Sequence, residues 1–329
     1  MASGLRVSTI SGSIPLGSTS RLETPARRMA WTPAVVDTQG KFTAEYIVAG
    51  DLRGHLWRVD VTCKNRSDKP PCDWKKDSSL LFTATDASGK PQPITTRPAV
   101  GKHPENLNGF VVYFGTGKYL ELTDISTAGA TTQAFYGIWD KDVQGAFVQE
   151  SDLVLQTFIS TSTPLTVTDT NGQQRTARVT TDNPIDWKKQ RGFRLDLSAP
   201  GERQVSDAVL RNGRIIFSTL IPNDQPCSFG GTSFVVALDV NGGKRLAAPF
   251  FDLNKDKLFD DQDKVTVSGQ QLPLSALESS VGIVNTPALH ASGTTDTFYT
   301  SGTTGSTAGE GVNPGHGAVG RQAWRKITQ

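Results

Sequence analysis

The chain has 329 residues, 36% of them hydrophobic and 20% charged, with a net charge of +2. This is the composition of a globular protein long enough for one large all-β domain or two small ones. It excludes two classes of partner. The nearest approaches to a basic run, Trp187-Lys188-Lys189-Gln190-Arg191 and Trp324-Arg325-Lys326, read as solvated faces and not as a nucleic-acid interface. No apolar stretch approaches the ~20 residues of a membrane span.

Residues 1–30 are rich in Ser, Gly and Pro, lack periodicity, and are expected to be poorly ordered. They do not open on a basic segment followed by an apolar core of the secretory type, which leaves a protein that stays in the cytoplasm or a piece of a longer chain, the second being the preferred reading. Residues 31–329 read as one β domain. The first hairpin is Tyr46–Ala49, a turn at Gly50-Asp51-Leu52-Arg53-Gly54, and His55–Asp60. The same grammar returns with longer insertions, as Phe110–Phe114 with Phe135–Trp139, and Arg214–Ile221 with Phe234–Leu238. Each returning run is followed by an aspartate, namely Asp60, Asp140 and Asp239, with Leu195-Asp196-Leu197 between the last two. A weaker final pair is Val281–Val284 with Thr297–Thr300. A four-stranded propeller blade takes roughly 40–50 residues, so residues 31–329 hold six at most and fewer once the insertions are subtracted. The expectation is an incomplete β-propeller with long loop insertions. A pair of packed sheets is the alternative.

Other segments carry weaker signals. Gln149–Gln156 and Pro273–Leu277 are each expected to form a turn or two of helix, and Gly293–Gly320 a flexible loop without the Gly-Lys-Ser/Thr ending of a phosphate-cradling loop. Cys63 and Cys72 bracket a polar stretch, and a disulfide between them is expected to stabilise by roughly 2–3 kcal/mol. Such thiols suit an oxidising compartment. Cys227 has no evident partner, and no paired CxxC supports zinc. Neither GxSxG, HExxH nor a P-loop occurs, and His55, His103, His290 and His316 are scattered.

The sharpest motif is Asp252-Leu-Asn254-Lys-Asp256-Lys-Leu258-Phe-Asp260-Asp-Gln-Asp263. Oxygen side chains fall at loop positions 1, 3, 5, 9 and 12, and position 7, Leu258, would offer its backbone carbonyl. Calcium takes 6–8 oxygens at about 2.3–2.6 Å, and alternate positions of a curled loop converge on one point. Two departures from the EF-hand pattern matter. Position 6 is Lys257 where glycine would ease a sharp turn, and position 12 is Asp263 where a longer glutamate is usual. No amphipathic helices flank the motif, so it reads as a calcium loop carried between strands. The competing reading is an acidic surface turn.

Several stretches in order resemble the PilY/PilC family of type IV pilus biogenesis factors and tip-associated adhesins. They are Gly50–Asp60, Pro91–Thr95, Phe114–Leu120, Tyr136–Asp140, and Thr219–Pro222 running on to Pro226–Gly231, followed by the calcium loop. The resemblance covers roughly residues 31–290. It implies the C-terminal part of such a protein, a modified β-propeller with an EF-hand-like calcium site on Asp252, Asn254, Asp256, the Leu258 carbonyl and Asp260. It implies a non-enzymatic role in which Ca2+ controls pilus extension against retraction and surface attachment. The implied partners are minor and major pilins, the pilus assembly machinery, and host or abiotic surfaces. The implied location is the pilus tip and cell surface, associated with the outer membrane. The segment Val36–Lys41 has lost the acidic ligands found there in relatives. Two rival functions stand beside this one. The first is a quinoprotein dehydrogenase, whose propellers share Gly-Asp and Leu-Trp hairpins but repeat their tryptophans regularly, unlike Trp31, Trp57, Trp74, Trp139, Trp187 and Trp324. The second is a generic scaffold for outer-membrane assembly.

Overall fold

The computed structural model describes residues 32–37, 43–62, 73, 77–159, 164–169, 172–223, 225, 230–292 and 294–315. The expectations for residues 1–30, for the Cys63–Cys72 disulfide, for Cys227 and for Trp324-Arg325-Lys326 fall outside these residues. Every complete regular element among them is a β-strand or a short 3-10 turn.

The strands form successive blade-like sheets. The first is the antiparallel meander β1 (Ala34–Val36), β2 (Tyr46–Gly50), β3 (His55–Asp60) and β4 (Ser78–Thr83). The second runs β5 (Ala99–Lys102), β6 (Phe110–Gly115), β7 (Gln133–Asp140), then β11 (Gly192–Leu197), with β8 (Leu153–Gln156) parallel to β11 at the rim. In the third, β12 (Val209–Arg211), β13 (Arg214–Ser218), β16 (Phe234–Asp239) and β19 (Ala276–Glu278) are extended by β10 (Gln174–Arg178) and β9 (Thr166–Thr168). The fourth is β20 (Ala288–Ala291), β21 (Asp296–Ser301) and β22 (Thr307–Val312). Two short hairpins, β14–β15 (Ile221–Pro222 with Gly231–Thr232) and β17–β18 (Lys264–Val267 with Gln270–Pro273), decorate the third. Of the first strands, β5 lies beside both β1 and β12, as the inner strands of consecutive propeller blades do.

Side chains of a strand alternate between its two faces, and here both faces are covered. On β6, Phe110, Val112 and Phe114 join the first sheet, while Val111 and Tyr113 join the third. On β7, Tyr136 and Ile138 point one way and Phe135 and Trp139 the other. On β16, Phe234, Val236 and Leu238 face the second sheet, and Val235 and Ala237 face the fourth and the Phe250–Leu253 segment. This double burial is why these runs are continuously hydrophobic rather than alternating. Between the second and third sheets the Phe135 and Phe217 rings stack 3.9 Å apart.

The three aspartates that close the hairpins share one device. Asp60, Asp140 and Asp239 each accept the backbone N–H two residues on, at 2.8 Å in every case, the side-chain mimic of a turn. Asp140 is fully buried and faces Arg58 Nε of the first sheet at 3.0 Å. Burial raises its pKa, and the Arg58 cation opposes that shift.

Four sequence expectations need correction. Val281–Val284 is no strand: β21 pairs with Ala288–Ala291, and Val284 makes one bridge to Gly302. Pro273–Leu277 is no helix, because Ala276 and Leu277 are claimed on one side by β16 and on the other by β10, and tertiary pairing overrides local propensity. Gln149–Gln156 yields only the 3-10 turn Glu150–Asp152 before β8. The described part of Gly293–Gly320 holds β21 and β22.

Gly54 sets the first hairpin turn. Its φ is +79°, and a Cβ there would lie 2.4 Å from the Ala84 carbonyl oxygen and 2.8 Å from that of Gln92. Gly54→Ala combines a left-handed penalty with a backbone clash, and a loss of about 2 kcal/mol or more is expected. An unchanged urea midpoint would show that the turn relaxes freely.

Candidate metal loop

The segment Asp252–Asp263 leaves the core where Phe250 and Phe251 are buried and Phe251 bridges Val312 of β22. Asp252 N donates to Gly311 O at 3.2 Å, which ties the first loop residue to the fourth sheet. From there alternate side chains fold back on the backbone. Asp252 Oδ2 accepts from Lys257 N at 3.0 Å, Asn254 Oδ1 from Asp256 N at 3.1 Å, Asp256 Oδ1 from Leu258 N at 2.7 Å, and Asp260 Oδ1 from Gln262 N at 2.8 Å. The last three are Asx turns, which short acidic and amide side chains make when a chain curls tightly, and the Asp252 bond spans five residues.

The backbone bears the cost foreseen at position 6. Lys257 has φ +66°, and Lys255, which sequence reasoning passed over, has φ +61°. Each left-handed non-glycine residue costs roughly 1–2 kcal/mol. Asp263 has a different place from the other acids. It is 1% exposed, and its two oxygens accept from Leu253 N at 2.7 Å and Asp260 N at 3.3 Å, so it staples the two ends of the loop. Burial raises its pKa, with the Asp252 charge adding to the rise against those hydrogen bonds.

Two observations bear on whether a cation fits. Asp252 Oδ1 is buried with no hydrogen-bond partner, a costly arrangement for a carboxylate oxygen unless something else meets it. Against this, no group of three or more carboxylate, imidazole or thiol side chains is drawn together to metal-binding distance among the described residues. The sequence-defined set spreads over carboxylates, the Asn254 amide and the backbone of exposed Leu258, and Asn254 Nδ2 spans to Asp256 Oδ2 at 2.9 Å and Gln262 Oε1 at 3.2 Å. The donor chemistry therefore suits a hard cation, and an inward shift of Asp256 and Asp260 would have to complete the cage.

Elsewhere the chemistry-bearing side chains hold structure. His55 Nδ1 meets Asp51 Oδ2 at 2.9 Å, and Trp57 Nε1 donates to the same oxygen at 3.1 Å. Burial pushes the Asp51 carboxyl up, but these hydrogen bonds hold it below the usual range. The other described indoles are also engaged, Trp139 with Asn108 O at 2.9 Å and Trp187 with Asn241 Oδ1 at 2.8 Å. Both pack on His103, with ring centroids 4.6 and 4.3 Å away, a cluster that no sequence spacing announced. Among the described residues no helix is long and apolar enough to cross a membrane.

Comparison with known proteins agrees with this architecture. A sequence model of the PilY1 beta-propeller domain matches residues 17–154. Type IV pilus biogenesis factor PilY1 of Pseudomonas aeruginosa is 30% identical over 341 aligned residues, covering 90% of this chain and 27% of that protein. A PilY1 homolog of Xylella fastidiosa is 31% identical over 224 residues, covering 64% of this chain and 14% of its own. The chain thus spans about a quarter or less of the length of the curated relatives it matches. The crystal structure of the Pseudomonas aeruginosa PilY1 C-terminal domain superposes with a TM-score of 0.70 at 26% identity, over 86% of this chain and 60% of that one. In sequence and in fold, the chain belongs to the PilY1 family of type IV pilus biogenesis factors, of which it carries β-propeller blades.

Proposed function

We propose that this chain is a calcium-responsive propeller module of a type IV pilus biogenesis factor, acting at the pilus tip by binding and not by catalysis. Its partners are pilins and the assembly machinery, its output is the balance of pilus extension against retraction, and surface attachment follows from that placement. The observation that supports the metal most directly is the buried, unpartnered Asp252 Oδ1 at the first position of a loop of alternating oxygen donors. Asp252, Asn254, Asp256, the Leu258 carbonyl and Asp260 would hold the ion, with Asp263 as the staple. A divalent charge there would offset repulsion among the gathered carboxylates and favour the ordered loop.

Calorimetry of the chain with calcium, and with magnesium as the competitor, tests the reading. Calcium is expected to bind in preference, because the tight octahedron of magnesium suits this loop poorly, and at a hundredfold excess over Kd to stabilise the fold by about 2.7 kcal/mol. Asp252→Ala should abolish the heat. In the full-length protein it should leave the factor made but change the number of surface pili. No heat with calcium, together with normal piliation in Asp252→Ala cells, would reduce the loop to a solvated acidic turn. Lys257→Gly relieves the residue at φ +66°. It should tighten binding several-fold, the equivalent of about 1 kcal/mol, and a weakening would show that the lysine contributes more than its backbone costs.

A further inference from the structure

Beside the loop a cavity of about 620 Å³ separates the last strand of the third sheet from the last strand of the fourth. Val167–Asp169 at the end of β9 forms one wall and Thr307–Gly311 of β22 the other, while Asp252, Leu253, Lys255 and Lys257 close one end. Both walls are sheet edges. Among the described residues, β9 pairs only with β10, and β22 pairs only with β21 apart from the single bridge between Phe251 and Val312.

Hydrogen-bond parity fixes which backbone groups of each edge strand point away from its paired strand. Gly302 N, across the turn from β22, donates to Ser306 O, and Asp252 N, on the outer side, donates to Gly311 O. The even-numbered residues of β22 therefore bond to β21, and Thr307, Gly309 and Gly311 turn their N–H and C=O groups outward. On the facing wall, Asp169 N donates to Gln173 O and Ala177 N to Leu165 O, so Thr166 and Thr168 face away from β10. Among the described residues, the outward backbone groups of Thr168, Thr307 and Gly309 make no hydrogen bond.

Natural edge strands are usually blunted by lysine, proline or a bulge. β22, Thr-Ala-Gly-Glu-Gly-Val, has none of these. Gly309 and Gly311 leave its backbone bare, and the Glu310 side chain is engaged by Arg175 Nη2 at 2.7 Å. A second observation points to a missing partner: Thr295 Oγ1, on a residue lining the cavity and 7% exposed, is buried with no hydrogen bond.

We propose that this cleft receives an extended polypeptide segment of a partner protein, added as a strand to the free edge of β22. An extended backbone is the ligand whose donors and acceptors repeat every second residue, as those of Thr307 and Gly309 do. The hydroxyl-bearing lining of Thr168, Ser280, Ser292, Thr295 and Thr297 selects small or polar side chains on the incoming strand. Asp252, bonded to Gly311 O, marks where the pairing stops. The proposal does not depend on metal at the loop.

The probe is a linear nine-residue peptide selected by phage display against the full chain, then synthesised with backbone N-methyl groups on one alternate set of residues or the other. One set should weaken binding about tenfold or more and the other set little, because a donated hydrogen bond is lost on one side only. Gly309→Pro, which removes an outward N–H and no bond to β21, should cause a similar loss with an unchanged circular dichroism spectrum. Gly309→Ala keeps the N–H and should retain binding. Equal effects of the two N-methyl sets, or equal losses in the two Gly309 variants, would overturn the proposal. So would failure to select any peptide. A concentration-dependent dimer that Gly309→Pro dissolves would overturn it in favour of a second copy of this chain.

Discussion

Glu202→Ala is expected to remove roughly 3–5 kcal/mol of stability, because it strands a buried cation. The Glu202 side chain is wholly buried in the connection between β11 and β12. Its oxygens take both hydrogen bonds of Arg178 Nη1, at 3.0 and 2.7 Å, and those of Thr219 Oγ1 at 2.7 Å and Ala199 N at 3.3 Å. Arg178 projects from β10, and its guanidinium carbon lies 3.7 Å above the Phe234 ring and 5.0 Å from that of Phe158. The carboxylate thus ties the outer extension of the third sheet to the β13–β14 connection. Without it, Arg178 keeps its charge in an aromatic slot that water reaches poorly. By contrast, the exposed Lys189–Asp186 pair should contribute less than about 1 kcal/mol. Urea denaturation at pH 7 reads the difference as a midpoint shift at constant slope, and the same loss lowers Tm by roughly 10 °C in a domain of this size. Arg178→Met added to Glu202→Ala should recover much of the loss, since it removes the stranded charge. A Glu202→Ala protein within about 1 kcal/mol of wild type would mean that water replaces the carboxylate and that the pair is not truly desolvated.

This network was not legible in the sequence, and the reason is the distance along the chain between its members. What could be read was local. Tyr46–Ala49 with His55–Asp60, and Phe110–Phe114 with Phe135–Trp139, fall within β2, β3, β6 and β7, because a strand between two neighbouring blades needs a continuous apolar run. Arg214–Ile221 is split, with β13 ending at Ser218 and β14 opening at Ile221, but the pairing with Phe234–Leu238 stands. The closing aspartates were visible because an Asx turn is made within three residues. The polar strands β9 and β10, Thr166–Thr168 and Gln174–Arg178, carry no apolar stripe. β19 was misread as helix because Ala276–Glu278 becomes a strand only through partners from β16 and β10. In the loop, the alternation of oxygen side chains and the left-handed Lys257 were readable from spacing. The stapling by Asp263 and the left-handed Lys255 follow from tertiary closure. The outward edge of β22 was hidden in a segment whose Gly, Thr and Ser content read as a flexible loop.

Acid should destabilise the protein through His103 by about 3 kcal/mol between neutral pH and pH 4. The imidazole is 2% exposed. Its Nδ1 accepts from Glu105 N at 3.2 Å, and Nε2 is buried without a partner. The rings of Trp139 and Trp187 enclose it, and the Lys141 and Arg191 cations approach the Trp139 ring at 4.6 and 5.9 Å. Burial lowers its pKa from 6.5 to about 4. The folded state therefore holds the ring neutral over a range in which the unfolded chain protonates it. Stability from this group is complete above the unfolded value and is lost as pH falls through the window toward the folded one. Asp140 and Asp239, whose pKa values burial raises, act in the opposite sense, so the pH profile of the wild type alone cannot isolate the histidine. The difference between wild type and His103→Phe can, because the carboxylates are common to both. Phenylalanine keeps an aromatic ring between the two indoles but gives up the Nδ1 acceptor, worth about 1 kcal/mol, so at pH 7 the variant should be the less stable. By pH 4 the wild-type advantage should have vanished or reversed. Parallel pH profiles would show that His103 protonates without cost and that water or a carboxylate reaches Nε2. A vanishing difference would locate an acid-sensitive joint at the end of the second sheet, where Asn241 from the β16 turn holds Trp187 in place. It would be independent of the Asp252–Asp263 loop, so calcium, bound there as proposed, should shift the stabilities of wild type and variant equally at every pH.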